Sequence, residues 1–481
     1  MIVHMPDQRL QGHTAESPRA AGEHVHRLLE SIWASTSLEE ATAAGDADRA
    51  LRILHEVSCN LLSLGPSSQT HAAGGKAATA DEVPAPGHLG VGRVGWRVIR
   101  QDVETVLRGV ALLEKQNKYS EAVHYLRIVL PNCATAWQWQ HAALRISLDL
   151  ERGLNNPSRA LAAYGSLLAR GRVTRTGIYP RADTSKVVTL PHELAAQRAV
   201  VRLQVPPRSW KKPRFSELTE AAEHTLSVPR DAAVDGRRGA WRFDGGATVL
   251  GVEEAVIHHF LTTELGRRGF QAAKWAAMHS ENGIWLTIFG LLLWDIFWNA
   301  NPGDGDCDDA GRSVTISHTD TSMPLLRGWI DDVAVTEAAA GVGGVDGASS
   351  SSDNTVVARL TAVAAGRGAA VLRATWAAHH GQLARGVDWE RNTVEELCDV
   401  VDGVGPTATA AICRAYLSHY EQLCGGLPDL LFWGPDNCGS HRSLLVEVKG
   451  PGDKLSDNQR CWNAILAEGG AAVEVWYVKA K

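Results

Sequence analysis

The sequence predicts an all-α helical domain followed by an α/β domain, and three observations carry that reading. Apolar residues recur at helical spacing from Trp96 to about Tyr164. Near the C-terminal end, two apolar runs of strand length flank a polar turn. A capped helix and a further apolar strand then follow. At 481 residues the chain exceeds what one hydrophobic core usually supports. The expected division is a poorly ordered or divergent region over 1–95, a helical domain over 96–245 and the α/β domain over 246–481.

Composition narrows the class. An apolar share of 44% is that of ordinary globular protein. The cysteines Cys59, Cys133, Cys307, Cys398, Cys413, Cys424, Cys438 and Cys461 form no C-x-x-C pair and have no histidines at zinc-ligand spacing. Reduced thiols in a cytosolic or nuclear protein are the expectation. Met1 to Glu23 is rich in His, Gln, Arg and Glu and offers no secretory signal. The longest apolar run, Ile284 to Trp298, is interrupted by Thr287 and Asp295 and is too short to span a bilayer, so no membrane is expected as a partner. The net charge is -6, yet Arg170, Arg172, Arg175, Arg181 and Lys186, then Arg202, Arg208, Lys211, Lys212 and Arg214 around Trp210, crowd the middle of the chain. Such a cluster is either a solvated face or one basic surface on an acidic protein, fit to meet phosphates.

Along the chain, residues up to about Gly95 alternate short helical patches with Gly65 to Gly92, whose Ala, Gly, Pro and Ser predict a linker. Val103, Val106, Leu107, Val110 and Leu113, then Ala122, Tyr125, Leu126 and Val129, mark successive amphipathic helices. These pack as helical hairpins, and a tetratricopeptide-like (TPR-like) array is one form of that, although no clean repeat period is visible. Gly and Arg replace the helical pattern from Asp231 to Gly246, which sets the expected boundary at 245/246. Glu253 to Leu265 and Gly283 to Trp298 read as helices, the second apolar almost all round and so buried. Two insertions, 302–311 and 338–353, hold little to bury and are expected to be disordered. Helices return at Val356 to Ala365, Ala369 to His380 and Thr407 to Cys424.

The chemistry is concentrated in Gly426-Leu427-Pro428-Asp429-Leu430-Leu431-Phe432-Trp433 and Ser443-Leu444-Leu445-Val446-Glu447-Val448-Lys449-Gly450. Turn residues from Gly434 to Gly439 join the two runs into a β-hairpin. Strand alternation sends Glu447 and Lys449 to one side and Val446 and Val448 to the other. Asp429 heads the partner strand, so antiparallel pairing brings its carboxylate near Glu447. Two carboxylates in an apolar sheet repel and are costly to desolvate unless a cation sits between them. Oxygen ligands without Cys or His suit Mg2+ or Mn2+ rather than zinc. Lys449 is placed to orient water or to stabilise charge developing on phosphorus. Ser456 and Gln459 form a capping box for the helix running to about Ala467, and Ala472 to Val478 supplies the last strand.

These residues resemble the VRR-NUC domain of the restriction-endonuclease-like PD-(D/E)XK nucleases. The similarity extends upstream to the Fanconi-anaemia-associated nuclease family. Gly425-Gly426-Leu427-Pro428-Asp429-Leu430 carries it, together with Leu445 to Pro451, Asp453, Leu455, Ser456 and Gln459, and Phe289-Gly290-Leu291-Leu292-Leu293-Trp294-Asp295-Ile296. The resemblance implies Asp429, Glu447 and Lys449 as catalytic residues. It also implies Glu281, in His279-Ser280-Glu281-Asn282-Gly283, and the carbonyl of Val448 as further metal ligands. On the residues alone, Glu281 is an acidic residue at a helix start.

A structure-specific DNase that cuts 5′ flaps and trims 5′-to-3′ in interstrand-crosslink repair is the activity so implied. Branched or flapped DNA and DNA-repair proteins would be its partners, and the nucleus its compartment. His192, Arg198 and Arg202 resemble the segment that holds a 5′-terminal phosphate, and Gln459 joins the DNA-contacting set; solvated charges on a helix, and a cap, are the plain alternatives. The chain departs from the pattern at Cys424, where a basic residue often precedes Gly-Gly-Leu-Pro-Asp, and at Asn458, where a lysine is common. The cysteine spacing of a ubiquitin-binding zinc finger is missing. A Holliday-junction resolvase and an inactive DNA-binding scaffold remain rival readings.

Overall fold

The computed structural model describes residues 18–64, 93–133, 136–178, 191–205, 215, 218–228, 241–243, 248–280, 282–298, 356–384 and 386–480. Contacts divide the chain into two units, Met1–Gly177 with His192–Phe215, and Ile178–Pro191 with Ser216–Lys481.

The described residues of the first unit build helices α1 (Pro18–Ala43), α2 (Ala47–Leu64), α3 (Arg93–Lys115), α4 (Tyr119–Val129), α5 (Ala136–Leu148), α6 (Pro157–Ile178) and α7 (Pro191–Leu203). Each contributes one apolar stripe to a shared core. Val103, Val106, Val110 and Leu113 of α3 meet Leu38 and Ala41 of α1, Leu54 of α2 and Leu126 of α4. The spacing of those α3 residues is what makes them face one way. Residues 18–64 therefore belong to the helical core, although the sequence set everything before residue 96 apart. The Gly65 to Gly92 stretch that separates α2 from α3 in the sequence lies outside the described residues, as do the expected insertions at 302–311 and 338–353.

The second unit is a mixed sheet with helices on both faces. Its elements are β1 (Ala222–Val228), β2 (Trp241–Phe243), β3 (Thr248–Leu250), α8 (Val252–His259), β4 (Ala276–His279), α9 (Gly283–Leu292), α10 (Trp294–Trp298), α11 (Val356–Ala362), α12 (Gly368–His379), α13 (Val394–Val404), α14 (Pro406–Leu423), β5 (Leu430–Pro435), β6 (His441–Lys449), α15 (Asp457–Glu468) and β7 (Ala472–Ala480). Five strands pair in the order β1-β7-β6-β5-β4, with β2 and β3 as a separate pair. The β5–β6 and β4–β5 pairings are antiparallel, whereas β6–β7 and β1–β7 are parallel. β1 lies ahead of the boundary expected at 245/246. Its alternation of Glu223, Thr225 and Ser227 with Leu226 and Val228 is a short edge-strand pattern with little apolar signal of its own.

Alternation along the strands divides the sheet into two unlike faces. Leu430, Phe432, Leu444, Val446, Val448 and Trp476 pack on Val256 and Phe260 of the α8 segment. Phe260 stacks on Phe432 with ring centroids 4.5 Å apart. The opposite face carries Glu447 and Lys449. Helix α13 closes on that side of the hairpin, since a Cβ at Gly403 would lie 2.7 Å from the Arg442 backbone. Helix α9 buries Ile284, Trp285, Ile288, Phe289, Leu291 and Leu292, as its apolar circumference requires.

In the first unit, Asp102 is buried and accepts a hydrogen bond from the Ser31 hydroxyl. Burial raises its pKa from 3.8 to about 6, against the lowering effect of Ser31. The folded state therefore prefers the proton. That contribution to stability is complete below pH 3.8 and is lost as pH rises through about 6. Asp102→Asn keeps an acceptor for Ser31 without the charge, so it should raise the thermal midpoint at pH 8 by the equivalent of about 1–3 kcal/mol and confer no gain at pH 4. Calorimetry at the two pH values checks this.

Candidate functional site

The β5–β6 register places Leu430 opposite Val446 and Leu431 opposite Leu445. One step further, Asp429 stands opposite Glu447, and directly opposed residues share a face. Asp429 Oδ2 accepts the backbone N–H of Val448 at 2.8 Å, which fixes the carboxylate across the two strands. The chain leaving β4 grips the same step. Ser280 N–H donates to the Asp429 carbonyl at 2.8 Å, and Ser280 Oγ donates to that of Pro428 at 2.6 Å. Gly426 has a φ of +96°, and a Cβ there would lie 3.2 Å from the Gln459 nitrogen at the start of α15. Only glycine lets the Gly-Leu-Pro-Asp turn pass so close to that helix.

Glu447 has no exposure and Lys449 retains 11%. Glu447 Oε1 accepts from Lys449 Nζ at 2.7 Å and from Gln459 Nε2 at 2.6 Å. Its other oxygen, Oε2, is buried and finds no hydrogen-bond donor among the described residues, while the Asp429 carboxylate lies close enough to share a proton with Glu447. Burial and then the neighbouring charge of Asp429 push its pKa up to about 8, and Lys449 offsets them only in part. A buried carboxylate with one oxygen unanswered and a second carboxylate beside it is a costly arrangement for protein alone. A divalent cation held by both would remove the cost, and the oxygen-only donor set fits Mg2+ or Mn2+.

Gln459 completes the capping box, its Oε1 accepting from Ser456 N–H at 2.9 Å while its own N–H donates to the Ser456 hydroxyl. With its amide nitrogen on Glu447, both ends of the side chain are engaged within the protein. Gln459 thus occupies the capping role that the sequence offered beside a DNA contact, and it also bridges the helix cap to the carboxylate. Val448 donates its N–H to Asp429 and sends its side chain into the opposite core. Glu281 lies outside the described residues, between Ser280 and Asn282. His192, Arg198 and Arg202 share α7 in the first unit. His192 Nε2 lies 3.4 Å from His141 Nδ1. Arg202 Nη2 donates to Glu151 Oε1 at 2.6 Å, so that cation is already paired with a carboxylate.

One group escaped the sequence reading. Glu253 and Glu254, in the first turn of α8, sit beside His279, with one ligand atom from each residue within 4.8 Å of the others. Register puts His279 on the face of its partner Leu430, the side away from Asp429 and Glu447. The two glutamates are well exposed and lie within ion-pair distance of the imidazole, at 3.8 and 3.6 Å. Adjacent glutamates at a helix start read as ordinary dipole stabilisation, so nothing short of the fold could connect them to His279.

A mixed sheet with two carboxylates and a lysine on one face of a hairpin defines a nuclease-type domain, and the comparisons agree. Residues 364–480 match the VRR-NUC domain. Over most of its length the chain is 30% identical, across 380 residues, to the Fanconi-associated nuclease 1 homolog of Arabidopsis thaliana, covering 78% of this chain and 37% of the relative. It is 30% identical over 410 residues to Fanconi-associated nuclease 1 of Mus musculus, covering 80% and 34%. With the protein of Homo sapiens, identity is 29% over 409 residues, with the same coverage of 80% and 34%. The chain thus carries a VRR-NUC domain and is homologous to the Fanconi-associated nuclease 1 proteins over most of its own length, while spanning only about a third of theirs. The fold is also that of the crystal structure of paFAN1 bound to 2nt 5'flap DNA with gap, with a TM-score of 0.52 at 21% identity over 80% of this chain and 56% of that one. No helix among the described residues is long and apolar enough to cross a membrane.

Because its folded pKa is raised, Glu447 favours the protonated fold. That stability is present below pH 4.5 and is lost as pH rises through about 8. Glu447→Gln should raise the unfolding midpoint of the metal-free protein at pH 9 and abolish the further rise that Mn2+ gives the parent chain. A Mn2+ response that survives the substitution would place the ion elsewhere. Gly426→Ala should destabilise the fold by about 1–3 kcal/mol and depress any activity of the site, because strain and collision displace the turn that carries Asp429.

Proposed function

We propose that this chain is a divalent-metal-dependent DNA phosphodiesterase that cuts 5′ flaps and trims 5′-to-3′, acting on branched DNA during interstrand-crosslink repair in the nucleus. The observation that carries the reading is the buried Glu447 carboxylate. One of its oxygens is held by Lys449 and Gln459, and the other, beside Asp429, accepts no hydrogen bond among the described residues. The names of the relatives and the flap DNA in the neighbouring crystal structure support the substrate class.

Asp429 and Glu447 would hold Mg2+ or Mn2+, with Glu281 and the Val448 carbonyl completing the ligand set. When bound, such an ion supplies Lewis-acid charge and an activated water. Val448 N–H and Ser280 keep Asp429 in place, and Gln459 keeps Glu447 in its rotamer. Lys449, fixed on the same face two residues beyond Glu447, holds the attacking water or meets the charge that develops on phosphorus. His192, Arg198 and Arg202 would take the 5′-terminal phosphate, with the Arg202–Glu151 pair tempering that cation.

The purified chain should cleave an end-labelled 5′-flap duplex with Mn2+. Asp429→Ala and Lys449→Ala should each reduce the rate by about 100-fold or more. Full activity in either variant would overturn the assignment. Preferential cutting of a four-way junction would favour a resolvase, and binding without cleavage would favour a scaffold.

A further inference from the structure

The inference rests on the nuclease reading and concerns a neighbouring cavity in the same unit. Ser280 holds the Asp429 carbonyl, and the carbonyl of the preceding residue, His279, accepts from Arg391 Nη2 at 2.8 Å. Arg391 also lies against the first residue of α9, where a Cβ on Gly283 would collide with Nη1. This arginine connects the backbone beside the carboxylate site to an open cavity of about 350 Å3 lined by Trp376, Trp389, Arg391 and Asn392. That volume lies near the small end of ligand sites, roughly 300–1,000 Å3.

Two of the nine lining residues are indoles, and both are held in place. The rings of Trp376 and Trp389 meet edge to face at 5.1 Å and 68°. His380 lies 4.8 Å from the first and 5.3 Å from the second. The buried Trp294 supports Trp389 from 5.7 Å. Trp389 Nε1 donates to the Gln382 carbonyl at 2.7 Å, which sets the plane of the indole. Both cavity indoles are nevertheless only half-buried. A purely structural aromatic cluster gains most by full burial; these rings leave area uncovered at the mouth of a cavity.

The charges around the cavity narrow the ligand. Glu390 and Glu395 are exposed at its edge and repel phosphate. Glu396 is occupied in the cap of α13, accepting Thr393 N–H at 2.9 Å. Two indole rings beside carboxylate acceptors suit a neutral ring that bears amino groups, and a nucleobase is such a ring. Within a duplex that ring is covered on both faces, so the base must be unpaired. We propose that the cavity of Trp376, Trp389 and Arg391 stacks an unpaired nucleobase of the DNA strand engaged at the Asp429–Glu447 site.

Binding of a labelled single-stranded oligonucleotide of adenine and cytosine to the full chain in EDTA tests this without turnover. Trp389→Leu, which keeps apolar volume but removes the stacking face, should weaken that binding about tenfold and leave blunt-duplex binding unchanged, whereas Trp389→Phe should retain most of it. Should the leucine variant fail to fold, photocrosslinking of the unaltered protein decides. A 5-iododeoxycytidine in the unpaired strand should crosslink to the peptide bearing Trp376 or Trp389. Cleavage of the flap with single-strand binding indifferent to Trp389→Leu, or crosslinks only elsewhere, would overturn this inference alone. Tryptophan-dependent binding with no cleavage would overturn the nuclease reading alone.

Discussion

A carboxylate sealed from solvent between two strands and a helix sets the terms for the C-terminal unit. Glu447 can sit there only because three groups constrain it. Asp429 is pinned to the neighbouring strand by Val448 N–H, Lys449 reaches one oxygen, and Gln459 reaches the same oxygen from the first turn of α15. Every nearby element is placed to serve that arrangement. β6 supplies the alternation, β5 the opposing residue, β4 the hydrogen bonds that hold the Pro428–Asp429 step, and Gly426 the clearance for the turn to reach it. The remaining oxygen accepts no hydrogen bond from the described residues and is left for a ligand.

The two faces of the sheet divide the labour. On the α8 side, Phe260, Phe432, Val446 and Trp476 pack together, so the hairpin is anchored chiefly by apolar burial, with Glu474 of β7 held there by Arg268. Register then transmits that anchorage to the other face. A slip of one residue would send Glu447 into the apolar layer and Val448 into the site. The same packing that makes the domain fold therefore aligns Asp429 with Glu447, and no separate device is needed to aim them.

Much of this was legible in the residues. The apolar runs around Leu430 and Leu445, the turn from Gly434 to Gly439 and the Ser456–Gln459 box specify strand, strand and helix by local rules, and the observed elements follow them. Alternation alone then puts Glu447 and Lys449 together. What local rules do not contain is long-range pairing. β1 was unreadable because a short strand of mixed polarity is recognisable only by its parallel partner, β7. The meeting of His279 with Glu253 and Glu254 depends on how α8 crosses the sheet. Gln459 was readable as a cap, but its second hydrogen bond depends on the angle at which α15 lies over β6.

A second carboxylate in the same sheet provides an internal control. Glu474 of β7 lies in register with Val446 of β6, on the apolar face, and is also largely buried. Burial pulls its pKa up, but Arg268 answers both oxygens at 2.8 and 2.9 Å, Trp476 Nε1 donates to one of them at 2.8 Å, and the result is a lowered pKa. Glu264 behaves likewise, drawn down to about 2 chiefly by Arg267, with help from Arg268. This sheet can therefore bury a carboxylate and satisfy it fully with protein groups. One strand away it does the opposite, leaving Glu447 with one cation, an adjacent carboxylate and an unanswered oxygen. Burial in the sheet is common to both positions and does not explain the contrast. The incomplete satisfaction is local to the face with Asp429 and Lys449, where a polar group left unpaired is a binding capacity.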